Sequence, residues 1–407
     1  MTDRPRLLFV SPRFLFPMNE GGKIRTGKTL QHMKGGVFDI TLASPAPIDH
    51  TRFTTDIDAA CDRFLPWAAT PTSIVRKLVA LLDAVPVSVA TDRSAAGSNV
   101  VRDALLQRPD IVVVDFPHAA VLMPAPIPGA SLLFTHNVEA EIYERHAATA
   151  AGLRRLVWRD QARKMQRFER QAVHAVGRVV AVSRRDAKAL GERYDLADVD
   201  AIDTGVDLAF FAFNEAERPG AVEPDGGRIV FTGVMDSPAN IDGVTFFMNE
   251  IWPLVSARRP AAEAVIVGRN PQPVLREAAR ARRLNWTFTG FVDDIRPYVA
   301  AADVSIIPLR VGSGTRIKAF ESMAMGRPVV ATTIGIEGLD ISPDAHYLRA
   351  DTPAEFAAAI LRLLDDEALR ARLRQAARAR MDAHFGWDRI ARQFEAVCVR
   401  TIDAAAH

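Results

Sequence analysis

Between Pro308 and Val330 the sequence sets a loop of small residues, Gly312-Ser313-Gly314, ahead of Thr315, two cations, Arg316 and Lys318, and one carboxylate, Glu321. These residue types in this order describe an anion site. Glycine lets backbone N–H groups approach a ligand closely, and a helix opening at Thr315 adds the positive end of its dipole. Cations are disfavoured at a helix N-terminus unless an anion joins them, which gives Arg316 and Lys318 a reason to be there. Glu321, one to two turns further on, can accept hydrogen bonds from two adjacent hydroxyls. A diphosphate joined to a ribose supplies both kinds of group. The plainer reading is solvated charge at the start of an ordinary helix.

A second candidate lies near the amino terminus. Gly22 to Thr29 fits G-x-x-x-x-G-K-[ST], the pattern of a phosphate-cradling loop. The run Ile111–Asp115 adds an apolar strand ending in a carboxylate of the kind that holds Mg²⁺. Together they describe a P-loop-type nucleotidase. The context argues against it, because such a loop must leave its strand directly. Here ten residues, Pro12 to Gly21, separate the match from the strand end near Ser11. A surface loop followed by a helix from near Lys23 fits better.

The elements that position these residues are legible as short apolar runs alternating with amphipathic stretches. Leu7–Val10, Ile111–Val114, Leu132–Phe134 and Val179–Val182 read as buried parallel strands, and Ile229–Phe231, Ala264–Val267, Val304–Ile307 and Val329–Ala331 form a second series. Ile241, Val244, Met248, Ile251 and Val255 make one helical stripe, with Asn240 at the place of a cap. The polar stretch Asn214–Arg228 separates the two series, and the crossover begins near Ile202–Asp207. Two strand ends carry further polar groups. Asp115 could orient an acceptor hydroxyl or cap the helix near Pro117. His136 could act at a ligand or cap the neighbouring helix, since ligands gather at the carboxyl ends of such strands.

Composition sets the outer limits. The chain has 407 residues, 48% hydrophobic and 25% charged, with two cysteines and a net charge of +2. These values describe ordinary globular domains and exclude a disordered chain and a disulfide scaffold. Cys61 and Cys398 fit a reducing, cytoplasmic setting. No His/Cys/Asp/Glu cluster has metal-ligand spacing, so no metal is expected. Aromatics are sparse along basic stretches, so nucleic acid is not an expected partner. No apolar run reaches the length of a membrane span. Residues 1–200 hold 27 Lys and Arg against 22 Asp and Glu, and the remainder is acidic. Much of that surplus lies in the helix 153–172, where seven cations interleave with Leu153, Leu156, Val157, Trp158 and Phe168. It reads either as a solvated face or as a seat on anionic lipid.

The 308–330 stretch resembles the corresponding segment of family-four retaining glycosyltransferases, and the resemblance extends over nearly the whole chain. It includes Gly21-Gly22, Thr135-His136-Asn137-Val138-Glu139, Val182-Ser183, Thr204-Gly205-Val206-Asp207, Phe231-Thr232-Gly233, Val267-Gly268, Thr289 to Asp294, Gly335 to Leu339 and Phe385-Gly386-Trp387. Sugar transferases of bacterial exopolysaccharide clusters are the subset most similar in look. The resemblance implies an α/β chain of GT-B architecture, two Rossmann-like domains with parallel sheets facing a cleft. By position these are 1–205 on the acceptor side, 206–386 on the nucleotide-sugar side, and a helix over 387–407 packing back across them.

The same resemblance implies roles. Gly21, Gly22 and Gly233 face the donor, and Phe291 and Val292 lie near its base. Gly314, Thr315, Arg316 and Lys318 hold the diphosphate, and Glu321 accepts from the ribose. His136 and Asp115 join Arg316 and Lys318 as candidate catalytic residues. The family often carries an earlier Glu that holds the donor sugar, and here that position is Ser313. Its Arg and Lys after the first glycine turn of the second domain fall on Val234 and Asn240, so Arg316 and Lys318 must substitute. A His at the end of its fourth strand falls on Asp115. The implied activity is sugar transfer with retention, from a nucleotide sugar to a glycan or lipid-linked acceptor in cell-surface polysaccharide synthesis. It needs no cofactor, and a cytoplasmic enzyme could sit peripherally on the inner face of the membrane. A non-catalytic GT-B partner subunit is the alternative that these departures raise.

Overall fold

Two sets of strands, each fed by helices, form two separate parallel sheets in the computed structural model, which describes residues 4–71, 73–212, 226–311 and 317–406. The chain divides into one unit of Met1–Thr204 with Trp387–His407, and a second of Gly205–Gly386.

In the first unit β1 (Arg6–Val10), β2 (Asp39–Ala46), β3 (Arg63–Ala68), β4 (Ile111–Asp115), β5 (Ser131–Phe134), β6 (Arg178–Ala181) and β7 (Val199–Ala201) stand in the order β3-β2-β1-β4-β5-β6-β7. Both faces are covered, which is why the central strands are continuously apolar. Leu7, Phe9, Val113 and Phe134 point into one core, and Leu8, Val10, Val114 and Leu133 into the other. The strands the sequence hid lie toward the edges. Edge strand β3 carries Pro66, a residue central strands reject, and β7 has three residues.

The helix Gly21–Met33 follows β1 after a loop. The whole Gly22–Thr29 match lies inside this helix, which begins two residues before the expected start. Beyond the first turn its N–H groups are committed to intrahelical bonds, so this match forms no phosphate-cradling loop and the nucleotidase reading fails. The closing helix Trp387–Ala406 packs in this unit, where Phe394 meets Phe134 with ring centroids 4.9 Å apart.

In the second unit β8 (Arg228–Thr232), β9 (Glu263–Val267), β10 (Trp286–Gly290), β11 (Val304–Ile307), β12 (Val329–Ala331) and β13 (Leu348–Arg349) stand in the order β10-β9-β8-β11-β12-β13. The stripe expected from Ile241 to Val255 is one helical path in three pieces. It runs as Pro238–Phe246, a π turn at Phe247–Ile251, and Trp252–Ser256. Pro253, which has no N–H to donate four residues back, accounts for the widened turn. Val244, Met248, Ile251 and Val255 are buried as the period requires. Asn240 is not the cap. Ser237 holds that position, because Pro238 starts the helix earlier and frees the Asn240 side chain for another contact.

Candidate functional site

In open parallel sheets, ligands collect at the carboxyl ends of the strands where the winding reverses. In the first sheet that point lies between β1 and β4. The chain fills it with its own polar groups. The Ser11 hydroxyl donates to Asp115 Oδ2 (2.8 Å) and Thr26 Oγ1 donates to Oδ1 (3.0 Å). His136 Nε2 lies 2.8 Å from the same Oδ1. On the far side of the ring, Arg25 Nη1 donates to His136 Nδ1 (3.2 Å), while Arg25 Nε and Nη2 donate to Thr204 Oγ1. A guanidinium can only donate, so Nδ1 must accept and the ring proton sits on Nε2, given to Asp115. Burial lowers the His136 pKa, with Asp115 opposing. Burial also pulls Arg25 down to about 9, which leaves it charged at neutral pH.

His136 and Asp115 are therefore brought together, but buried, and both ring nitrogens are engaged. Neither residue is a helix cap. The helix Glu139–Thr149 is capped by Glu169, whose carboxylate accepts from the Glu139 and Ala140 N–H groups at 2.7 and 3.1 Å and from the Tyr194 hydroxyl at 2.7 Å. The turn Pro117–Leu122 has no side-chain cap. The His136 ring stacks on Phe116 with centroids 3.8 Å apart. Phe116 also explains Gly22, since a Cβ there would lie 2.7 Å from its Cζ. Gly21 is exposed at the first position of its helix, with no side-chain cap at Glu20 and no acid in the first turn.

The second sheet reverses between β8 and β11. Here the strand ends are bare backbone. Gly233 follows β8 and Gly268 follows β9, and a Cβ on Gly268 would stand 1.8 Å from the Gly233 carbonyl oxygen. No side chain fits at that contact. A Cβ on Gly233 would come within 2.8 Å of both Lys318 Nζ and Asn240 Nδ2. Among the described residues three neighbours hold the ammonium there. Lys318 Nζ donates to Asn240 Oδ1 (2.9 Å) and lies 4.2 Å from the centre of the Phe231 ring, beside the Gly233 backbone. Asn240 in turn donates its Nδ2 to the Val234 carbonyl at 2.8 Å.

Glu321 stands one turn after Lys318 on the helix Ile317–Ala324. Burial pushes its carboxyl up to about 7, with Lys318 opposing. Among the described residues nothing hydrogen-bonds that carboxyl, so its acceptor capacity is unspent. Phe291 is 72% exposed after β10, and Val292 packs against the buried cluster of Val230, Val265, Val267 and Ala302. Ser313, Gly314, Thr315 and Arg316 lie outside the described residues. The structure thus brings Gly233, Lys318 and Glu321 to one strand-end region. It also shows two residues that the sequence reading did not assign to the site. Asn240 holds the cation. Arg269, directly after Gly268, has its Nε buried with no hydrogen-bond partner among the described residues. Its place behind the glycine that ends a strand was the only available signal. Among the described residues no group of three or more His, Cys, Asp or Glu side chains could hold a metal ion.

Residues 226–366 match the family model described as glycosyl transferases group 1. A phosphatidyl-myo-inositol mannosyltransferase from Mycolicibacterium smegmatis is 34% identical over 179 residues, 43% of this chain and 45% of that protein. The chain spans about half the length of the curated relatives it matches. Among solved structures, sucrose-phosphate synthase from Thermosynechococcus elongatus superposes with a TM-score of 0.72 at 19% identity, covering 98% of this chain and all of that one. Anabaena HepE, solved with UDP and glucose, gives 0.69 at 14% identity, covering 98% and 100%. Both likenesses show the fold, and the sequence resemblance is borne out at this level. The chain has the GT-B fold, and its residues 226–366 match the glycosyl transferases group 1 model.

Proposed function

We propose that this protein transfers a sugar from a nucleotide sugar to a glycan or lipid-linked acceptor, with retention at the anomeric carbon, in the synthesis of a cell-surface polysaccharide. The observation that carries the reading is the cation at the bare strand ends, Lys318 over Gly233, with the unspent carboxyl of Glu321 one turn away. That pairing suits a diphosphate followed by a ribose. The names of the mannosyltransferase relative and of the UDP-bound HepE structure support the same substrate class.

In the proposed step the bond between the anomeric carbon and the diphosphate oxygen breaks. The acceptor oxygen bonds to that carbon on the same face, and its proton passes to the leaving diphosphate. The protein's work is to stabilise negative charge on the leaving group. Lys318 and the N–H groups near Gly233 do this, with Arg316 as the second cation that the sequence offers. No protein base is required, which agrees with a His136 whose two nitrogens are both occupied. The reading assigns charge neutralisation to side chains rather than to a metal, so turnover should persist in excess EDTA.

A lipid-linked acceptor places the enzyme at a membrane surface. Leu153, Leu156 and Val157 are exposed beside the arginines of the 153–172 helix. No helix among the described residues is long and apolar enough to cross a membrane, so the proposed contact is peripheral. The deciding experiment is a thermal-shift screen with UDP, GDP, ADP and their sugars, followed by a sugar-release assay on each that binds. At least one should raise the melting temperature and be turned over. Binding of none refutes the reading.

A further inference from the structure

We propose that Asn240 is a positioning residue for Lys318. Its side-chain amide sets the lysine ammonium over the Gly233 backbone, where it meets the diphosphate of the donor. This rests on the nucleotide-sugar reading above and goes beyond it by naming how the cation is held.

The argument starts from charge. The positions that the family resemblance pairs with Arg and Lys carry Val234 and Asn240, so the turn after β8 has lost the cations expected from its own helix. The structure returns a cation to that turn from a different helix, Ile317–Ala324. A lysine stem has four rotatable carbons and a compact, strongly hydrated head, so left alone it would not hold one place. Here the head has Asn240 Oδ1 at 2.9 Å, the Phe231 ring at 4.2 Å, and a Gly233 that leaves room only because it has no side chain.

The amide is suited to this in a way that neither a carboxylate nor an alanine would be. Its two ends do different work, Nδ2 donating to the Val234 carbonyl at 2.8 Å and Oδ1 accepting from Nζ. The reverse orientation would set an NH₂ against an ammonium and an oxygen against a carbonyl, so the network fixes the flip. Aspartate at 240 would put an oxygen against the Val234 carbonyl and would neutralise Lys318. A neutral amide orients the charge without neutralising it, and the charge is what a diphosphate needs.

The test is a cycle of Asn240→Ala, Asn240→Asp, Lys318→Ala and the double variant Asn240→Ala/Lys318→Ala. Affinities are measured by calorimetry for the nucleoside diphosphate that the wild type binds and for the matching nucleoside. Asn240→Ala and Asn240→Asp should each bind the diphosphate about tenfold more weakly, with nucleoside affinity unchanged within about twofold. In the Lys318→Ala background the Asn240→Ala loss should vanish, because the residue acts only through Lys318. Circular dichroism melts identify any variant that fails to fold, and the near-isosteric Asn240→Asp then carries the comparison. Additive losses, an unchanged diphosphate affinity, or an equal loss for the nucleoside would overturn the proposal while leaving the donor reading intact. A wild type that binds none of UDP, GDP or ADP overturns both.

Discussion

Replacing Glu321 with glutamine should stabilise the second unit and weaken its ligand binding, and pH separates the two effects. Burial raises the Glu321 pKa from 4.5 to about 7, so the fold disfavours the ionised carboxyl. For an acid raised in the folded state, stability is fully present below the unfolded pKa and is lost as pH rises through the folded one. At about 1.4 kcal/mol per pH unit, the rise sets a ceiling of about 3 kcal/mol. About 2 kcal/mol of that ceiling is lost between pH 5.5 and 8.5. Partial solvent access brings the working figure to about 1 kcal/mol. Glutamine has nothing to ionise and escapes this loss. Urea unfolding of both proteins at pH 5.5 and 8.5 should show the variant gaining on the wild type by about 1 kcal/mol at the higher pH, or about 2–4 °C in a thermal melt of a unit this size. The same variant at pH 8.5 should bind its nucleoside diphosphate about tenfold more weakly, because a carboxylate accepts more strongly from ribose hydroxyls than an amide does. A stability difference that does not change between the two pH values would refute the burial argument. Undiminished binding would refute the ribose role.

Three further outcomes follow from packing and protonation. Gly268→Ala should cost about 3 kcal/mol or more in urea unfolding, since its Cβ meets backbone rather than a movable side chain. Gly22→Ala should cost about 1–3 kcal/mol alone and much less in the presence of Phe116→Ala, which removes the ring it strikes; additivity in that double-mutant cycle would be the contrary result. Nitrogen NMR of the His136 ring should report the neutral Nε2–H tautomer at and below the ordinary histidine pKa of about 6.5, and an Nδ1–H signal would refute the hydrogen-bond chain from Arg25 to Asp115.

The sequence revealed the parts of this molecule that depend on local pattern. All eight expected strands are present, because a central parallel strand buried on both faces must be a continuous apolar run. Edge strands such as β3 and β10 carry Pro66 or alternating threonines, and their identity comes only from the neighbour they pair with. The site divided the same way. Lys318 and Glu321 were legible from one stretch of chain. Asn240 reads locally as a helix cap, and its contact with Lys318 spans 78 positions of sequence. Asp115 and His136 likewise looked like caps or reactive groups, because nothing nearby in sequence shows that Ser11, Arg25 and Thr26 converge on them. The P-loop pattern was misleading for the same reason. Its letters are local, but whether they form a loop depends on where the helix begins.

The two switch points are built on opposite principles, and that contrast favours one unit for the donor. In the first sheet, Ser11, Thr26, Asp115, His136, Arg25 and Thr204 are joined in one buried hydrogen-bond network. Such a network orders strand ends and fixes a tautomer, but it has little capacity left for an incoming anion. In the second sheet the corresponding strand ends are two glycines in mutual contact, with an ammonium held by a neutral amide and a carboxyl without partners among the described residues. A charge oriented by a neutral amide, and a carboxyl open among the described residues, are what a charged ligand can use. Overall charge would have pointed the other way, since the amino-terminal half of the chain is the basic one. The proposed anion site is set by where a few groups converge, not by the net charge of the half that carries it.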